Sequence, residues 1–197
     1  VHKEGYQICV VMGGGNIFRG VSAATYGMHR AVADNIGMLA TVMNSVAFQN
    51  SLEKLEIQTR VMSAISMPTI CEPYIRRKAL RHLDKGRIVI CAAGSGNPYF
   101  TTDTAATLRA LEMGCEVLMK ATKVAGVYTS DPETNESARF IEKISYKDAI
   151  DSDIRVMDQT AITLARENKI PVIIFSIKET GFLKKVLTGE GLCSIIS

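Results

Sequence analysis

None of the five cysteines, Cys9, Cys71, Cys91, Cys115 and Cys193, stands at C-x-x-C spacing from another, and their number is odd. Both facts argue against a disulfide framework and against structural zinc. Cys9, Cys91 and Cys193 lie in apolar, strand-like runs, where a thiol behaves as a small hydrophobe. The three histidines, His2, His29 and His82, match no metal-ligand spacing, so no protein-held metal is expected. Tryptophan is absent and aromatic residues make up only 6% of the chain. A net charge of +3 supplies no basic stripe of the kind nucleic-acid binders carry, although a mildly positive cleft would attract a phosphorylated substrate. No uninterrupted apolar run approaches the ~20 residues that span a bilayer, and no signal-like segment precedes the first strand. The expectation is a cytoplasmic protein with neither a nucleic-acid nor a membrane partner. G-x-x-x-x-G-K-[ST], G-x-S-x-G and H-E-x-x-H are all missing, which removes P-loop phosphate binding, the nucleophile elbow and zincin chemistry.

What is present is an alternation of strand and helix patterns in a chain of 197 residues with 47% hydrophobic content, enough to bury a sizeable core in one domain. Strands are predicted at 7–12, 59–64, 87–93, 116–120 and 171–177 and helices at 29–56, 75–85, 102–114 and 158–168, with 181–187 and 192–196 closing the pattern. In the longest helix Val32, Ile36, Leu39, Met43 and Val46 recur every three or four residues and are predicted to form its buried face. The run at 171–177 is nearly continuous in apolar residues, as in a parallel strand covered on both faces. The class that follows is α/β, a three-layer αβα sandwich with a mainly parallel central sheet.

Two glycine loops follow strand patterns. Gly13-Gly14-Gly15-Asn16-Ile17-Phe18-Arg19-Gly20 carries three adjacent glycines, tolerated mostly where φ is positive or a ligand needs the backbone, and Arg19 offers a planar fork for phosphate oxygens. Gly94-Ser95-Gly96-Asn97-Pro98-Tyr99-Phe100-Thr101-Thr102-Asp103 lies between a strand and a helix, where a parallel sheet presents its ligands and a helix N-terminus suits phosphate. The plainer reading of that second loop is a connection with Thr102 or Asp103 as N-cap. Neither loop completes G-x-G-x-x-G, because Phe18 and Tyr99 occupy the sixth places, which disfavours a dinucleotide site.

Taken in order, these loops, the stretch from Asp34 to Asn44, Lys120-Ala-Thr-Lys-Val-Ala-Gly-Val-Tyr-Thr-Ser-Asp-Pro, Val156-Met-Asp and Leu164-Ala-Arg resemble the bacterial uridylate kinases of the amino-acid kinase family over essentially the whole chain. The resemblance implies direct transfer of the γ-phosphoryl group of Mg-ATP to UMP, giving UDP and ADP in pyrimidine nucleotide synthesis, with ATP as co-substrate and Mg²⁺ accompanying it. It implies that Gly14, Ser95, Gly96, Asn97, Pro98, Tyr99, Phe100, Thr101 and Thr102 bind UMP and that Asp34 anchors the sugar hydroxyls. Gly15 and Arg19 would face the transferring phosphoryl group, with Asp103 orienting groups around the phosphates or capping its helix. Thr122, Tyr128 and Asp131 match ATP-site positions, Tyr128 packing on adenine and Asp131 accepting from ribose or base donors, although Asp131-Pro132 is also a turn signature. A homohexamer responding to GTP and UTP is implied by the family alone.

The chain departs from the family pattern in two places. The family's Lys-x-Ser-Gly-Glu phosphate loop and its strand do not precede the first strand here, so 1–197 is read as a single amino-acid kinase-like domain lacking that N-terminal segment. Ala125 stands where the family usually has aspartate. These departures keep open a non-catalytic nucleotide-binding or storage protein on the same fold. A kinase of the same family with an amino-acid or carbamate acceptor is the other alternative, against which the run at 97–103 and Asp34 argue.

Overall fold

The computed structural model describes residues 1–19, 27–132, 134–152 and 156–197; Gly20, the last residue of the first glycine loop, lies outside them. The chain packs as two compact units, His2–Met113 and Gly114–Ser197, the latter together with Val1.

The His2–Met113 unit opens with a short 3-10 turn and continues through β1 (Cys9–Val11), α1 (Arg30–Glu53), β2 (Thr59–Ser63), β3 (Glu72–Pro73), α2 (Arg76–Asp84), β4 (Ile88–Ala92) and α3 (Thr102–Met113). Its sheet runs β1-β4-β2-β3 with every pairing parallel. Every residue of β4 is buried, which is why this central strand is apolar throughout. Val61, Ile88, Ile90 and Ala92 pack with Met38 and Val42 of α1 into one core. Because β1 and β4 are adjacent and parallel, the two glycine loops leave the same edge of the sheet side by side.

The long helix forms where expected but turns a different face inward. Ala33, Met38, Ala40, Thr41, Val42 and Ser45 are buried, whereas Val32, Leu39 and Met43 are 48%, 46% and 61% exposed and Val46 is exposed as well. Four of those six buried side chains, Ala33, Ala40, Thr41 and Ser45, are small or hydroxyl-bearing, and hydrophobicity alone does not mark them as core. By length and composition α1 is also apolar enough to cross a bilayer, although polar residues interrupt it; in this fold its inner face lies on β2 and β4.

The Gly114–Ser197 unit holds β5 (Leu118–Thr122), β6 (Val127–Tyr128), β7 (Phe140–Ile141), β8 (Lys143–Ile144), α4 (Tyr146–Asp151), α5 (Gln159–Glu167), β9 (Val172–Ser176), α6 (Phe182–Leu187) and β10 (Cys193–Ile196). The sheet order is β5-β9-β10-β8, with β9 and β10 antiparallel and the other pairs parallel, and β6 and β7 form a separate antiparallel ribbon. Asp158 caps α5 by accepting from Ala161 N–H at 3.0 Å, and Ser145 caps α4 from Asp148 N–H, also at 3.0 Å. The fold is mixed α/β and mainly parallel, as read from the sequence.

Candidate functional site

The first glycine loop is a tight turn pinned to α1. Ile17 and Phe18 N–H both donate to Gly14 O at 3.0 Å. Asn44 Nδ2 donates to Gly13 O at 2.8 Å and to Asn16 Oδ1 at 2.7 Å, so one helix residue holds both ends of the triple glycine. Gly14 is buried, and a Cβ there would sit 2.7 Å from Gly37 O and 2.8 Å from Ala40 Cβ. Its glycine is demanded by close packing on α1, while Gly13 and Gly15 stay exposed. Arg19 folds back on the same turn, its Nε donating to Gly15 O at 3.1 Å.

The second loop is built on four positive φ values, at Ala93 (+61°), Gly94 (+57°), Gly96 (+82°) and Tyr99 (+72°). Two of these residues carry a Cβ, a conformation that costs free energy and is sustained by neighbouring contacts. Ala93 N–H donates to Thr41 Oγ1 of α1 at 2.8 Å. Tyr99 N–H donates to the Asp34 carboxylate at 2.7 Å, and Arg30 Nε donates to both Asp34 oxygens at 3.1 and 3.0 Å. The Arg30 guanidinium in turn lies 5.7 Å from the centroid of the Tyr99 ring. Ser95 Oγ closes a local turn by accepting from Asn97 N–H at 3.2 Å. Tyr99 and Phe100 present exposed rings at the tip.

Thr101, rather than Thr102 or Asp103, caps α3: its Oγ1 accepts from Thr104 N–H at 3.2 Å and its carbonyl from Ala105 N–H at 3.0 Å. Thr102 and Asp103 therefore occupy the first turn, where the helix dipole favours negative charge. A Cβ on Gly13 would lie 3.6 Å from Thr102 Oγ1, so the two loops meet there. Gly14, Gly15, Arg19, Asp34, residues 95–102 and Asp103 thus gather on one sheet edge of the His2–Met113 unit. The sequence reading missed Arg30, although its i,i+4 spacing to Asp34 was a visible signal.

Beneath this platform the Arg109 side chain is buried. Its NH1 lies 2.5 Å from Glu112 Oε2, its NH2 donates to Gly94 O at 3.3 Å, and its Cζ stands 3.8 Å over the Tyr74 ring. Tyr74 O–H donates to the same Glu112 oxygen at 2.6 Å, and Arg76 Nε donates to Glu112 O. Burial, followed by the bond to Glu112, holds the Tyr74 phenol above its ordinary pKa.

In the Gly114–Ser197 unit, a cavity of about 420 Å³ is lined by Lys123, Ala125, Tyr128, Lys178, Glu179 and Phe182 among others. Tyr128 meets Phe140 edge-to-face with centroids 5.5 Å apart. Neither Thr122 nor Asp131 lines this cavity. Thr122 ends β5, its Oγ1 accepting from Val124 N–H at 3.3 Å, and Asp131 O receives Asn135 N–H at 2.9 Å in a turn. Buried Ser194, which the sequence reading passed over, anchors the segment: its Oγ accepts from Val127 N–H at 2.8 Å and donates to Ile141 O at 2.5 Å. A Cβ on Gly126 would fall 2.3 Å from that oxygen, so glycine is required there.

Among the described residues no group of three or more His, Cys, Asp and Glu side chains could hold a metal ion. The site offers backbone N–H groups, hydroxyls, a guanidinium and carboxylates, a set suited to positioning a phosphorylated nucleotide.

Residues 1–176 match the model of the amino acid kinase family. A uridylate kinase of Paramagnetospirillum magneticum is 55% identical over 197 residues, covering 100% of this chain and 82% of the relative. One of Wolbachia pipientis is 56% identical over 193 residues, covering 98% and 78%. The crystal structure of UMP kinase from Bacillus anthracis superposes with a TM-score of 0.96 at 41% identity, covering 99% of this chain and 81% of that one.

Proposed function

The chain belongs to the amino acid kinase family, and from that premise we propose that it acts as a uridylate kinase, moving the γ-phosphoryl group of ATP to UMP to give UDP and ADP. The observation that carries the reading is the joining of Asp34 to Tyr99, which sets a carboxylate against the second glycine loop, while the parallel pairing of β1 and β4 brings the first glycine loop to the same edge, where parallel sheets bind ligands.

In this reading UMP is the nucleotide of the His2–Met113 unit. Loop N–H groups and hydroxyls of residues 95–102 face its phosphate and base, and the main chain at Gly14 completes the cradle. Asp34 spends part of its acceptor capacity on Tyr99 and Arg30, and the lone pairs left over receive the sugar hydroxyls. Arg19 and Gly15 serve the transferring group, the guanidinium following charge as it spreads over the equatorial oxygens. Asp103 orients the phosphate end from the first turn of α3. ATP enters as its Mg²⁺ complex, the ion held chiefly by phosphate oxygens and water. Its base meets Tyr128 beside the cavity of the Gly114–Ser197 unit, with Thr122 and Asp131 serving the rest of that nucleotide.

The family model runs through both units, which supports a single amino-acid kinase-like domain. The exposed stripe of Val32, Leu39 and Met43 supports a homo-oligomer, for which the family resemblance suggests a hexamer responsive to GTP and UTP. The substrates point to a cytoplasmic enzyme of pyrimidine nucleotide synthesis. The test is ADP formation from Mg-ATP with UMP, CMP and aspartate as acceptors: turnover selective for UMP supports the reading, and equal turnover with aspartate or none with UMP overturns it.

A further inference from the structure

Among the described residues, Arg109 is the only buried charged side chain, at 5% exposure, and no step of the proposed reaction uses it. A guanidinium in that position carries a large desolvation penalty unless its surroundings compensate, and an apolar residue of similar volume often serves stability as well. Its contacts divide into two groups. Glu112 and the Tyr74 ring hold the side chain in place, and the remaining arm reaches Gly94 O at 3.3 Å. Gly94 is the root of the loop at 94–103, preceded by the left-handed Ala93 and followed by the left-handed Gly96. Thr41 Oγ1 grips Ala93 N–H from α1, so the backbone at the root is held by Thr41 on α1 and by Arg109 on α3.

We infer that Arg109 is a positioning residue for the acceptor nucleotide: through Gly94 O it sets the direction in which residues 95–102 leave β4, and Tyr74 and Glu112 set Arg109. The inference rests on the uridylate kinase reading. Arg109 touches no substrate, so its removal loosens acceptor binding and leaves the Mg-ATP side of the reaction alone. Lysine restores charge opposite Glu112 but cannot serve Glu112, the ring and Gly94 O together, because it lacks the planar fork.

The experiment compares wild-type, Arg109→Met, Arg109→Lys and Tyr74→Phe full-length chains. Steady-state kinetics are combined with amide hydrogen exchange, at a temperature where each variant's melting curve shows it folded. Arg109→Met should raise KM for UMP about tenfold with KM for Mg-ATP and kcat nearly constant, Arg109→Lys should fall between, and Tyr74→Phe should shift KM for UMP about threefold. Exchange should quicken at residues 94–100 and not across the unit. An unchanged KM for UMP, equal rises in both KM values, or uniformly faster exchange would overturn the inference. A wild-type chain that makes no UDP is a separate result: it sinks the uridylate reading and with it the nucleotide half of this proposal. Exchange at 94–100 then still decides whether Arg109 holds the loop.

Discussion

The Asp34 carboxylate accepts the backbone N–H of Tyr99 at 2.7 Å and so ties the second turn of α1 to the loop after β4, across 65 positions of sequence. Tyr99 is a non-glycine residue at φ +72°, a conformation that neighbouring contacts must sustain. One carboxylate therefore shapes the loop and, in the proposed function, receives the sugar hydroxyls of UMP. Arg30 supports the pair from one turn earlier on the helix.

Replacing Asp34 by alanine removes both roles, and UMP affinity measured by calorimetric titration should fall by about 1–3 kcal/mol, the usual cost of losing a charged hydrogen-bond partner. Asp34→Asn keeps an acceptor for Tyr99 N–H and should lose less. Unchanged affinity in Asp34→Ala would remove this residue from the acceptor site.

Arg19 lies on an exposed turn with its Nε on Gly15 O, free to follow a ligand that replaces that bond. Its contact is proposed to strengthen as charge moves in the transition state, so Arg19→Ala should lower kcat about a hundredfold with a much smaller change in KM for UMP. A loss confined to UMP affinity would contradict that role. Arg19→Lys should recover only part of the rate, because an ammonium lacks the bidentate fork.

Gly14 tests the packing of the first loop independently of chemistry. A Cβ added there would fall 2.7 Å from Gly37 O, and backbone cannot give way cheaply. Gly14→Ala should lower stability by about 1–3 kcal/mol in thermal unfolding, whereas Gly13→Ala, whose Cβ meets only Thr102 Oγ1 at 3.6 Å, should be nearly neutral. Equal melting temperatures for the two variants would contradict the packing account.

The exposed stripe on α1 bears on assembly. Sedimentation of the wild-type chain should give a mass well above the 21.5 kDa of one copy, and Leu39→Glu with Met43→Lys should shift it toward the monomer. A variant that sediments like wild type would place the contact elsewhere.

The same stripe shows where sequence reasoning stopped. Val32, Leu39 and Met43 have helical spacing and high hydropathy, so they read as core, yet the buried face is Ala33, Met38, Ala40, Thr41, Val42 and Ser45, with Met38 and Val42 packed against the strands. Four of the six buried side chains are small or hydroxyl-bearing and carry little hydropathy, so a hydrophobicity pattern cannot distinguish that face from one left for a partner. The longer elements were legible because β4 and β9 are short apolar runs bounded by turn residues, and α5 announces itself with Asp158 at its N-cap. The two-residue strands β3, β6, β7 and β8 were not, since their pairing depends on remote partners such as Ser194. The glycine loops stood out for their composition. The clamps behind them, Arg30, Asn44, Thr41 and Arg109, did not, because each acts through a backbone carbonyl, a backbone N–H or a carboxylate distant in sequence or one turn away.

The most direct test of the central claim is an amide-resolved NMR titration of the full chain with UMP. Shifts should concentrate at residues 13–19 and 95–103, with the Tyr99 amide among the largest, and Asp34→Ala should abolish them at the same UMP concentration. Shifts absent from both segments, or confined to the residues around the Tyr128 cavity, would contradict it.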